Sequence, residues 1–348
     1  AIPMNVTENP EIYTLTIPRE MIWSNHLSYY FEASNQSGTD TTETYELTIP
    51  QSEVNFQDVP ALFITELVPD STNVNALDGY EFIEVYNNAD QDINFTDYTI
   101  RYRYPMEGPG ADLLWGPTND EEVIIPSGET VVFWIINSGN THLTDQDFNV
   151  NYGTNLQEGK ELIKIFNNGM SNSAHRSLVI ATKTGHELST VSYFDEVNVD
   201  DTIADKGIFY RFPTDGSSQL TKISGGILNA TPGLVMAEQV PVEKVQVKAD
   251  NEKPTITDLT KNKEVSSTEP IQVMAEIKDN IQVKSAALHY RTSATEDFKK
   301  VNLEIKSNNL YQHTIYEPEL IGNKAIEYYF TASDGVNKIT SETKSISI

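Results

Sequence analysis

Residues 25–35 of this chain recur near its other end, as residues 324–334. Both copies carry the string Tyr-Tyr-Phe followed one residue later by Ala-Ser, and a similar alternating segment precedes each, residues 12–17 and residues 310–315. A repeat that flanks a dissimilar middle region indicates a modular array. The first copy lacks a counterpart of residues 255–295, so we expect the chain to begin within a module. Half a sandwich leaves strand edges unpaired, so residues 1–50 are expected to pack on the central region or another chain, or to be poorly ordered.

Composition limits the number of domains and the kinds of partner. A chain of 348 residues exceeds the usual size of a single hydrophobic core, which predicts two or three domains. The absence of cysteine excludes disulfides, thiolate metal sites and a cysteine nucleophile. With 24 Lys and Arg against 51 Asp and Glu, the net charge of −27 opposes direct binding to nucleic acid. No apolar run reaches the ~20 residues of a membrane span, so we expect no membrane insertion.

Apolar and polar side chains alternate along most of the chain with the period of β-strands. Residues 98–104 follow this alternation, whereas residues 131–136 are continuously apolar, as in a strand buried on both faces. Turn dipeptides such as Asp78-Gly79 and Asp334-Gly335 interrupt the pattern at intervals too short for long helices. Since a sheet with one apolar face must bury it, the sequence predicts an all-β protein of tandem immunoglobulin-like sandwiches, the first one partial.

Shifts in composition indicate where the modules begin and end. We predict the C-terminal part of one module in residues 1–53 and a sandwich domain in residues 54–236. Residues 237–253 are charged and poor in aromatic side chains, which predicts a linker or a bridging strand. A last module is predicted for residues 254–348.

Several strings occur in order along the middle region: Leu62-Phe63-Ile64-Thr65-Glu66-Leu67, Gly79-Tyr80-Glu81-Phe82-Ile83-Glu84-Val85-Tyr86-Asn87-Asn88, residues 93–100, 125–129 and 161–167, and the closing Asn229-Ala230-Thr231-Pro232-Gly233. In these strings the region resembles the lamin-tail domain, an immunoglobulin-like sandwich of nuclear lamins and many secreted bacterial proteins. The resemblance implies an immunoglobulin-like fold for about half the chain. Residues 107–119 and 137–159 are insertions relative to the short form of the family.

The last module carries the strings Pro254-Thr255-Ile256, residues 271–280 and residues 283–291. In these it resembles fibronectin-type-III and bacterial immunoglobulin-like modules, which are strung together in secreted Gram-positive proteins. In Bacillus-like proteins such a combination accompanies very large extracellular phosphoesterases or nucleases. The resemblance therefore implies a parent protein of that kind, and no residue of this chain carries its chemistry.

The sequence lacks the strings that carry hydrolytic chemistry. A two-metal phosphoesterase needs compact loops of Asp, His and Asn ligands, and the nearest string, Gly139-Asn140-Thr141-His142, has an inserted Thr and lacks the acid. Signatures of serine hydrolases, zinc proteases and phosphate-binding loops are also missing. Glu81 and Glu84 fall on opposite faces of one predicted strand, which makes them poor partners for acid–base catalysis. We therefore expect no catalytic residues and no enzyme activity.

An acidic segment near residue 200 is the candidate metal site. Asp195, Asp200 and Asp201 lie close together in sequence, and calcium takes roughly six to eight oxygen ligands. The segment lacks the spacing of an EF-hand loop, so two interpretations remain: a calcium site formed by these three residues, and a solvated acidic loop. No other cofactor is implied.

Trp115 is the candidate ligand-binding residue. It lies in the first insertion beside Gly116-Pro117, outside the predicted strands, where an aromatic ring can serve as a stacking platform for a sugar. The alternative is that Trp115 packs over the edge of the sandwich, because large aromatic side chains contribute buried area first.

Three classes of function remain. In the first, the chain is a non-catalytic segment of a large secreted or cell-surface bacterial protein, where it spaces and presents other modules. In the second, the lamin-tail-like domain binds a cell-wall polysaccharide or a protein. In the third, the chain is an enzyme whose site is assembled from residues dispersed in sequence. A further alternative is an accessory part of an extracellular metallophosphoesterase or nuclease whose catalytic domain lies outside this chain. The repeat and the missing catalytic strings favour the first class, with other modules of the same protein as partners.

Overall fold

The computed structural model describes residues 4–7, 11–15, 26–35, 37–48, 56–117, 122–196, 199–261 and 264–348. These residues form β-strands and a single α-helix, together with short 3-10 turns. Six strands precede residue 56: β1 (Asn5–Val6), β2 (Tyr13–Thr14), β3 (His26–Tyr29), β4 (Glu32–Asn35), β5 (Gly38–Thr41) and β6 (Tyr45–Thr48).

Fourteen strands follow in the described part of the central region: β7 (Leu62–Val68), β8 (Asn73–Val74), β9 (Leu77–Asp78), β10 (Phe82–Asn87), β11 (Ile93–Asn94), β12 (Tyr98–Arg103), β13 (Leu113–Trp115), β14 (Ile124–Ile125), β15 (Thr130–Ile136), β16 (Leu162–Phe166), β17 (Arg176–Thr182), β18 (Glu187–Tyr193), β19 (Lys206–Arg211) and β20 (Thr221–Asn229). The last described region holds nine: β21 (Thr255–Asp258), β22 (Ile271–Lys278), β23 (Ser285–Arg291), β24 (Lys299–Asn302), β25 (Ile305–Ser307), β26 (Leu310–Ile315), β27 (Ala325–Ser333), β28 (Lys338–Thr340) and β29 (Lys344–Ser347).

Two packed sheets form the central sandwich. The larger has the strand order β16-β15-β10-β7-β19-β20 and the smaller the order β13-β12-β17-β18. Their neighbours pair antiparallel except β15 and β16, which run parallel. Alternate apolar side chains of the two sheets, such as Ile83 and Ile180, meet in one core at 0% exposure. The predicted all-β sandwich is therefore confirmed.

The larger sheet is covered on both faces. Every residue of β15 is buried, as its continuous apolar sequence predicts, and Trp134 faces away from the main core. The helix α1 (Asp145–Tyr152) lies over this second face, where Phe148 packs against Trp134 with ring centroids 5.1 Å apart. The helix belongs to the insertion of residues 137–159, which thus supplies a third layer. No helix in the described part of the chain is long and apolar enough to cross a membrane.

The segment that follows the central sandwich runs along it before reaching the next module. Val245 forms a parallel bridge with Ala89, and Val240 and Val247 pack on the central core. The backbone N–H of Val245 donates to the Asn88 carbonyl at 2.9 Å. This part of the segment of residues 237–253 is therefore held against the central sandwich.

The C-terminal sandwich also has two sheets. One has the order β21-β22-β26-β25, and the other has the order β24-β23-β27-β28, with β29 also paired to β27. Their core includes Val273, Leu288 and Ile326, each 0% exposed. Alternate residues of β23 and β27 point away from this core and form an outer sheet face.

The repeated segment pairs in the same register in both copies. β3 pairs with β6 and β4 with β5, as β27 pairs with β29 and β28. Burial differs between the copies: Tyr29 and Phe31 are 38% and 43% exposed, whereas their counterparts Tyr328 and Phe330 are 3% and 1% exposed. Within the described residues, the first copy has no strand that pairs as β23 does with β27. Among the described residues, the first copy therefore forms short strand pairs whose aromatic side chains are more exposed than those of the second copy.

This difference in burial predicts a difference in local stability. We expect the backbone amides of β3 to β6 to exchange with deuterium about tenfold faster or more than those of β27 to β29, because less apolar area protects them. Hydrogen exchange measured by mass spectrometry compares the two copies within one molecule, at matched pairing register. Equal protection of the two copies would contradict the expectation and would indicate that another surface covers the first one.

Candidate functional site

The turn between β17 and β18 is hydrogen-bonded into the C-terminal sandwich. Thr184 is 3% exposed; its backbone N–H donates to the Lys284 carbonyl at 3.1 Å and its Oγ1 donates to the Val283 carbonyl at 2.7 Å. Its own carbonyl accepts from the Ile305 N–H at 3.0 Å. Gly185 completes the turn with a φ of +100°, a conformation that glycine adopts readily. Three hydrogen bonds thus tie one buried residue of the central sandwich to its neighbour.

Two charged side chains of the central sandwich strengthen this seam. Asp97 is 5% exposed, and it accepts from Ser285 Oγ at 2.5 Å and from Ser333 Oγ at 3.2 Å. Arg101, also buried, forms an ion pair of 2.6 Å with Glu304 of the C-terminal sandwich. A buried charge that loses its partner destabilises the protein strongly. The seam therefore favours the one arrangement of the two sandwiches in which Asp97 and Arg101 keep their partners.

Two adjoining clefts of about 350 and 320 Å³ open beside the seam. Both are lined by Thr96, Lys183 and Asn302. The first cleft extends along the central sandwich toward Trp115, and the second lies over the outer face of the sheet β24-β23-β27-β28. We call the two clefts together the junction groove, and its lining includes Thr96, Tyr98, Trp115, Lys183, His289, Lys300, Asn302, Glu304, Thr331, Lys338 and Thr340.

The second cleft is lined by cationic side chains. Lys183 comes from the central sandwich, whereas Lys300 and Lys338 come from β24 and β28, on either side of β23 and β27. The acidic residues of the groove, Asp97 and Glu304, are already held by the two serine hydroxyls and by Arg101. Three lysines from the two sandwiches thus line one cleft of a strongly acidic protein.

Aromatic rings support the floor of the second cleft. His289 stacks on Tyr329, with ring centroids 4.5 Å apart and planes 3° from parallel, and its Nε2 lies 3.1 Å from Thr331 Oγ1. Phe298 meets Tyr329 edge-on at 4.9 Å. These contacts hold the outer side chains of β23 and β27 in place.

Trp115 occupies the packing position that was its alternative interpretation. It is 7% exposed, and its ring stacks on Tyr102 with centroids 4.4 Å apart. Its remaining exposed part lines the junction groove. A role of Trp115 as an open stacking platform stays a prediction, and the groove offers a ligand only the part of the ring that Tyr102 leaves uncovered.

The acidic segment near residue 200 is organised around a lysine. Lys222 Nζ lies 2.6 Å from Asp201 Oδ2 and also contacts Asp195, while Asp200 accepts from the N–H and Oγ1 of Thr202. Asp201 also accepts from the Phe194 N–H at 2.9 Å. Asp195, Asp200 and Asp201 therefore have protein donors as partners. Calcium binding at these three residues stays a prediction.

A different group of carboxylates has the spacing that a shared cation would need. Oxygens of Asp250, Asp279 and Asp334 lie within 4.8 Å of one another, so these residues could hold a metal ion. Backbone donors already engage two of them: Asp334 Oδ1 accepts from the Asn337 N–H at 2.6 Å, and Asp279 Oδ2 from the Ile281 N–H at 2.8 Å. These two hydrogen bonds join residues that are two or three positions apart, as is usual in tight loops.

Two buried carboxyl groups anchor the closing segment of the central sandwich. Glu66 and Glu84 face each other across β7 and β10, and both are 0% exposed. Glu66 accepts from the Thr231 N–H at 3.0 Å and Glu84 from the Gly233 N–H at 2.7 Å. Burial raises the pKa of both groups; repulsion from Glu84 raises the pKa of Glu66 further, and the pKa of Glu84 rises to about 7. Gly233 meets its acceptor at a φ of +87°, which favours glycine.

The sequence pattern did not reveal the residues of the groove or the full carboxyl pair. Glu81 and Glu84 were expected on opposite strand faces, and they do lie apart: Glu81 accepts from the Met170 N–H at 2.6 Å. Glu66 is the one charged residue of the strand β7 (Leu62–Val68), and a charge in such a strand is a sequence signal for a buried polar contact. Lys183, Lys300 and Lys338 gave no signal because they are distant in sequence.

Residues 56–195 match the family model of the Lamin Tail Domain. The resemblance of the middle region is thereby confirmed. The chain is 41% identical over 350 residues to the uncharacterized protein YvnB of Bacillus subtilis (strain 168), and the alignment covers 100% of the chain and 27% of that relative. The chain thus spans about a quarter of the length of the curated relative that it matches.

Two solved structures align at low similarity. The chicken interferon gamma receptor alpha chain is 8% identical and has a TM-score of 0.19, with 80% of this chain and 97% of that chain covered. A Ca²⁺-stabilized adhesin with which an Antarctic bacterium binds ice is 10% identical and has a TM-score of 0.21, with 93% of this chain and 81% of that chain covered.

The buried carboxyl pair predicts that stability falls as pH rises. Between about pH 4.5 and 7 the folded state keeps a proton on Glu84 that the unfolded state has lost. The free energy of unfolding should therefore fall across this window, by on the order of 3 kcal/mol from Glu84 alone. Glu66, whose pKa is also raised, should add to the fall. Urea unfolding at several pH values measures this slope. Glu84→Gln should reduce the slope without abolishing it, because burial also raises the pKa of Glu66 and of Glu81. Glu238→Gln, at an exposed position, should leave the slope unchanged; a wild-type slope in Glu84→Gln would contradict the assignment.

The Lys222 contacts predict a second stability effect. Lys222→Met removes the cation beside Asp201, which is buried, so the free energy of unfolding should fall by about 3 kcal/mol. Adding Asp201→Asn should recover part of the loss, because the buried charge is then removed as well. Denaturant unfolding of the single and double variants tests this coupling, with the exposed Lys248→Met as control. Additive effects of the two substitutions would show that the residues do not interact.

Proposed function

We propose that the chain is a non-catalytic segment of a large secreted or cell-surface bacterial protein, in which it acts as a spacer and interaction module. The observation that carries the proposal is the buried, hydrogen-bonded seam between the two sandwiches. Thr184, Asp97 and Arg101 each reach a partner in the C-terminal sandwich. A spacer with such a seam would hold neighbouring modules of the same protein at a defined angle to each other.

The similar proteins support the part of this proposal that concerns a modular domain. The matched family has an immunoglobulin-like fold, and the similar region of YvnB is one part of a much longer protein. Modules of this kind fit a role as connecting units whose partners are other modules of the same protein. Location outside the cell is part of the proposal, and it rests on the resemblance to modules of secreted proteins.

A second candidate function is ligand binding at the lamin-tail domain, and the junction groove favours it. The groove lies partly on that domain, and it combines lysines, hydroxyl and amide groups and the uncovered part of Trp115. An accessory role beside a phosphoesterase or nuclease domain rests only on the fact that similar modules accompany such enzymes. No described residue gives further support to that role.

The spacer role predicts a fixed distance between the sandwiches. Since the chain has no native cysteine, Lys160→Cys and Thr343→Cys introduce two unique spin-label sites, one on each sandwich. Double electron–electron resonance should then give one narrow distribution of the distance between the two spin labels. Asp97→Ala with Glu304→Ala removes both charged contacts of the seam and should broaden the distribution at least about twofold.

The control for this experiment removes the same charge elsewhere. Glu196 and Glu238 are exposed residues away from the seam, so Glu196→Ala with Glu238→Ala should leave the distribution narrow. A broad distribution in the otherwise unaltered chain would refute a rigid spacer.

A further inference from the structure

Three carboxyl groups from separate segments meet at one end of the C-terminal sandwich. Asp250 belongs to residues 237–253, which we call the connector, whereas Asp279 directly follows β22 and Asp334 directly follows β27. One oxygen of each lies within 4.8 Å of the others. We infer that these three residues bind a calcium ion, which joins the connector to two loops of the C-terminal sandwich. The inference is independent of the spacer role, because ion binding does not depend on what the sandwiches present.

The distances and the ligand types fit calcium. Calcium–oxygen bonds are about 2.3–2.6 Å long, so two oxygens on opposite sides of one ion lie about 4.6–5.2 Å apart. Separations of up to 4.8 Å therefore allow all three carboxyl groups to contact one ion. The group contains neither histidine nor cysteine, the ligands that transition metals favour. Magnesium is usually held by one or two carboxylates, whereas calcium accepts more.

Asp279 has an oxygen that the loop does not use. Its Oδ2 accepts from the N–H groups of Ile281 and Gln282 at 2.8 and 2.9 Å, which is the hydrogen bonding that the loop needs. Its Oδ1 is buried, and no donor among the described residues reaches it. A buried carboxylate oxygen without a partner is costly, so this atom indicates a ligand. A cation shared with Asp250 and Asp334 would supply the missing partner.

The three charges have no cationic partner within the described part of the chain. Asp334 is only 3% exposed, yet no lysine or arginine there forms an ion pair with it or with the other two residues. Lys284 packs beside Gly335 and over the ring of Tyr98, outside ion-pair distance of the three. Like charges held this close repel one another, and a divalent cation between them reverses the effect.

The repeat shows that the turn after β27 does not need a negative charge. Asn35 of the first copy corresponds to Asp334, and its Oδ1 accepts from the Ser37 N–H at 2.7 Å. Asp334 Oδ1 accepts from the Val336 N–H at the same distance. Since a neutral amide forms the same turn, turn formation does not account for the charge of Asp334. Cation binding gives that charge a role.

Asn337 holds the connector beside the carboxyl groups. Its Nδ2 donates to the carbonyls of Asp250 and Glu252 at 3.3 and 3.0 Å, and to Asp334 Oδ2 at 3.0 Å. The backbone of the connector is thus docked against the loop that carries Asp334. Calcium takes roughly six to eight oxygens, so water would complete the shell around the three carboxyl groups.

Isothermal titration calorimetry on the chelator-treated full chain, at fixed ionic strength, tests the inference. We expect one calcium ion per chain with a dissociation constant on the order of 0.1–1 mM, the range of extracellular calcium-binding modules, and weaker binding of magnesium. Asp334→Asn keeps the acceptor of the turn and should weaken calcium binding about tenfold or more, and so should Asp279→Asn. Absence of saturable binding at about ten times this concentration would overturn the inference.

Matched variants test the location of the site. Asp297→Asn with Glu342→Gln removes two exposed carboxylates from the same sandwich and should change the affinity less than about twofold. An equal loss in this control and in Asp279→Asn with Asp334→Asn would show diffuse attraction and overturn the site. Asp200→Asn should leave binding unchanged; loss of binding in that variant alone would place the ion in the acidic segment and overturn the inference.

Urea unfolding separates loss of the ion from loss of the fold. In chelator, Asp334→Asn should unfold at no lower urea concentration than the unaltered chain, because it relieves repulsion. Calcium should raise the midpoint of the unaltered chain by mass action and leave that of Asp334→Asn nearly unchanged. An equal rise in both would show that Asp334 is not a ligand.

Hydrogen exchange tests the part of the connector. If Asp250 is a ligand, calcium should slow amide exchange in residues 248–253 about threefold or more in the unaltered chain, and not in Asp279→Asn with Asp334→Asn. Calcium binding without this protection would overturn the assignment of Asp250 and with it the link between the connector and the C-terminal sandwich.

Discussion

Buried polar groups need hydrogen-bond partners, and this requirement determines how the central sandwich closes. Glu66 and Glu84 lie on strands of a sheet covered on both faces, so water does not reach either carboxyl group. Their donors are the N–H groups of Thr231 and Gly233, beyond the last strand of the sandwich. Two unpaired carboxyl groups would cost a large share of the few kcal/mol by which a domain is stable. The closing segment is therefore a structural part of the sandwich.

The same requirement explains why the next module is held in place. Thr184 and Asp97 are buried where the two sandwiches meet, and each finds its partners on the other side. An interface made only of apolar contacts tolerates sliding, whereas hydrogen bonds depend on distance and angle. A polar seam consequently sets an orientation, and it also keeps the walls of the junction groove in register. Lysines that are distant in the sequence can face one cleft only because of this seam.

The pattern of apolar residues along the sequence predicted strands whose character depends on neighbouring residues alone. The continuous apolar run at residues 131–136 indicated a strand covered on both faces, and β15 is buried throughout. The helix that covers it was missed because Phe148 is its only buried residue, so it has almost no apolar periodicity. The signals available in the sequence were Thr144 three residues before Asp147, whose carboxylate accepts from the Thr144 N–H and Oγ1, and Gly153, which ends the helix in a left-handed conformation.

Contacts between distant residues left no such trace. The pairing of Asp201 with Lys222 joins the acidic segment to a strand of another part of the chain, and no spacing rule connects the two. The acids alone leave two interpretations, a calcium site and a solvated loop, and the local sequence gives no sign that Lys222 lies beside two of them. The groove escaped prediction for the same reason, since its cations come from two sandwiches.

The repeat shows that groove chemistry does not follow from the module type. The two copies pair in one register, so positions on the outer sheet face correspond: Glu32 stands where the second copy has Thr331, and Thr39 stands where it has Lys338. The first copy thus has an acid in the middle of this face and no lysine at its edge. Strand pairing and outer-face chemistry vary independently, because pairing uses the backbone and the inward side chains while the outer positions are free to differ. Lys338 at the edge of the groove is therefore a feature of the C-terminal copy and not of the repeat as such.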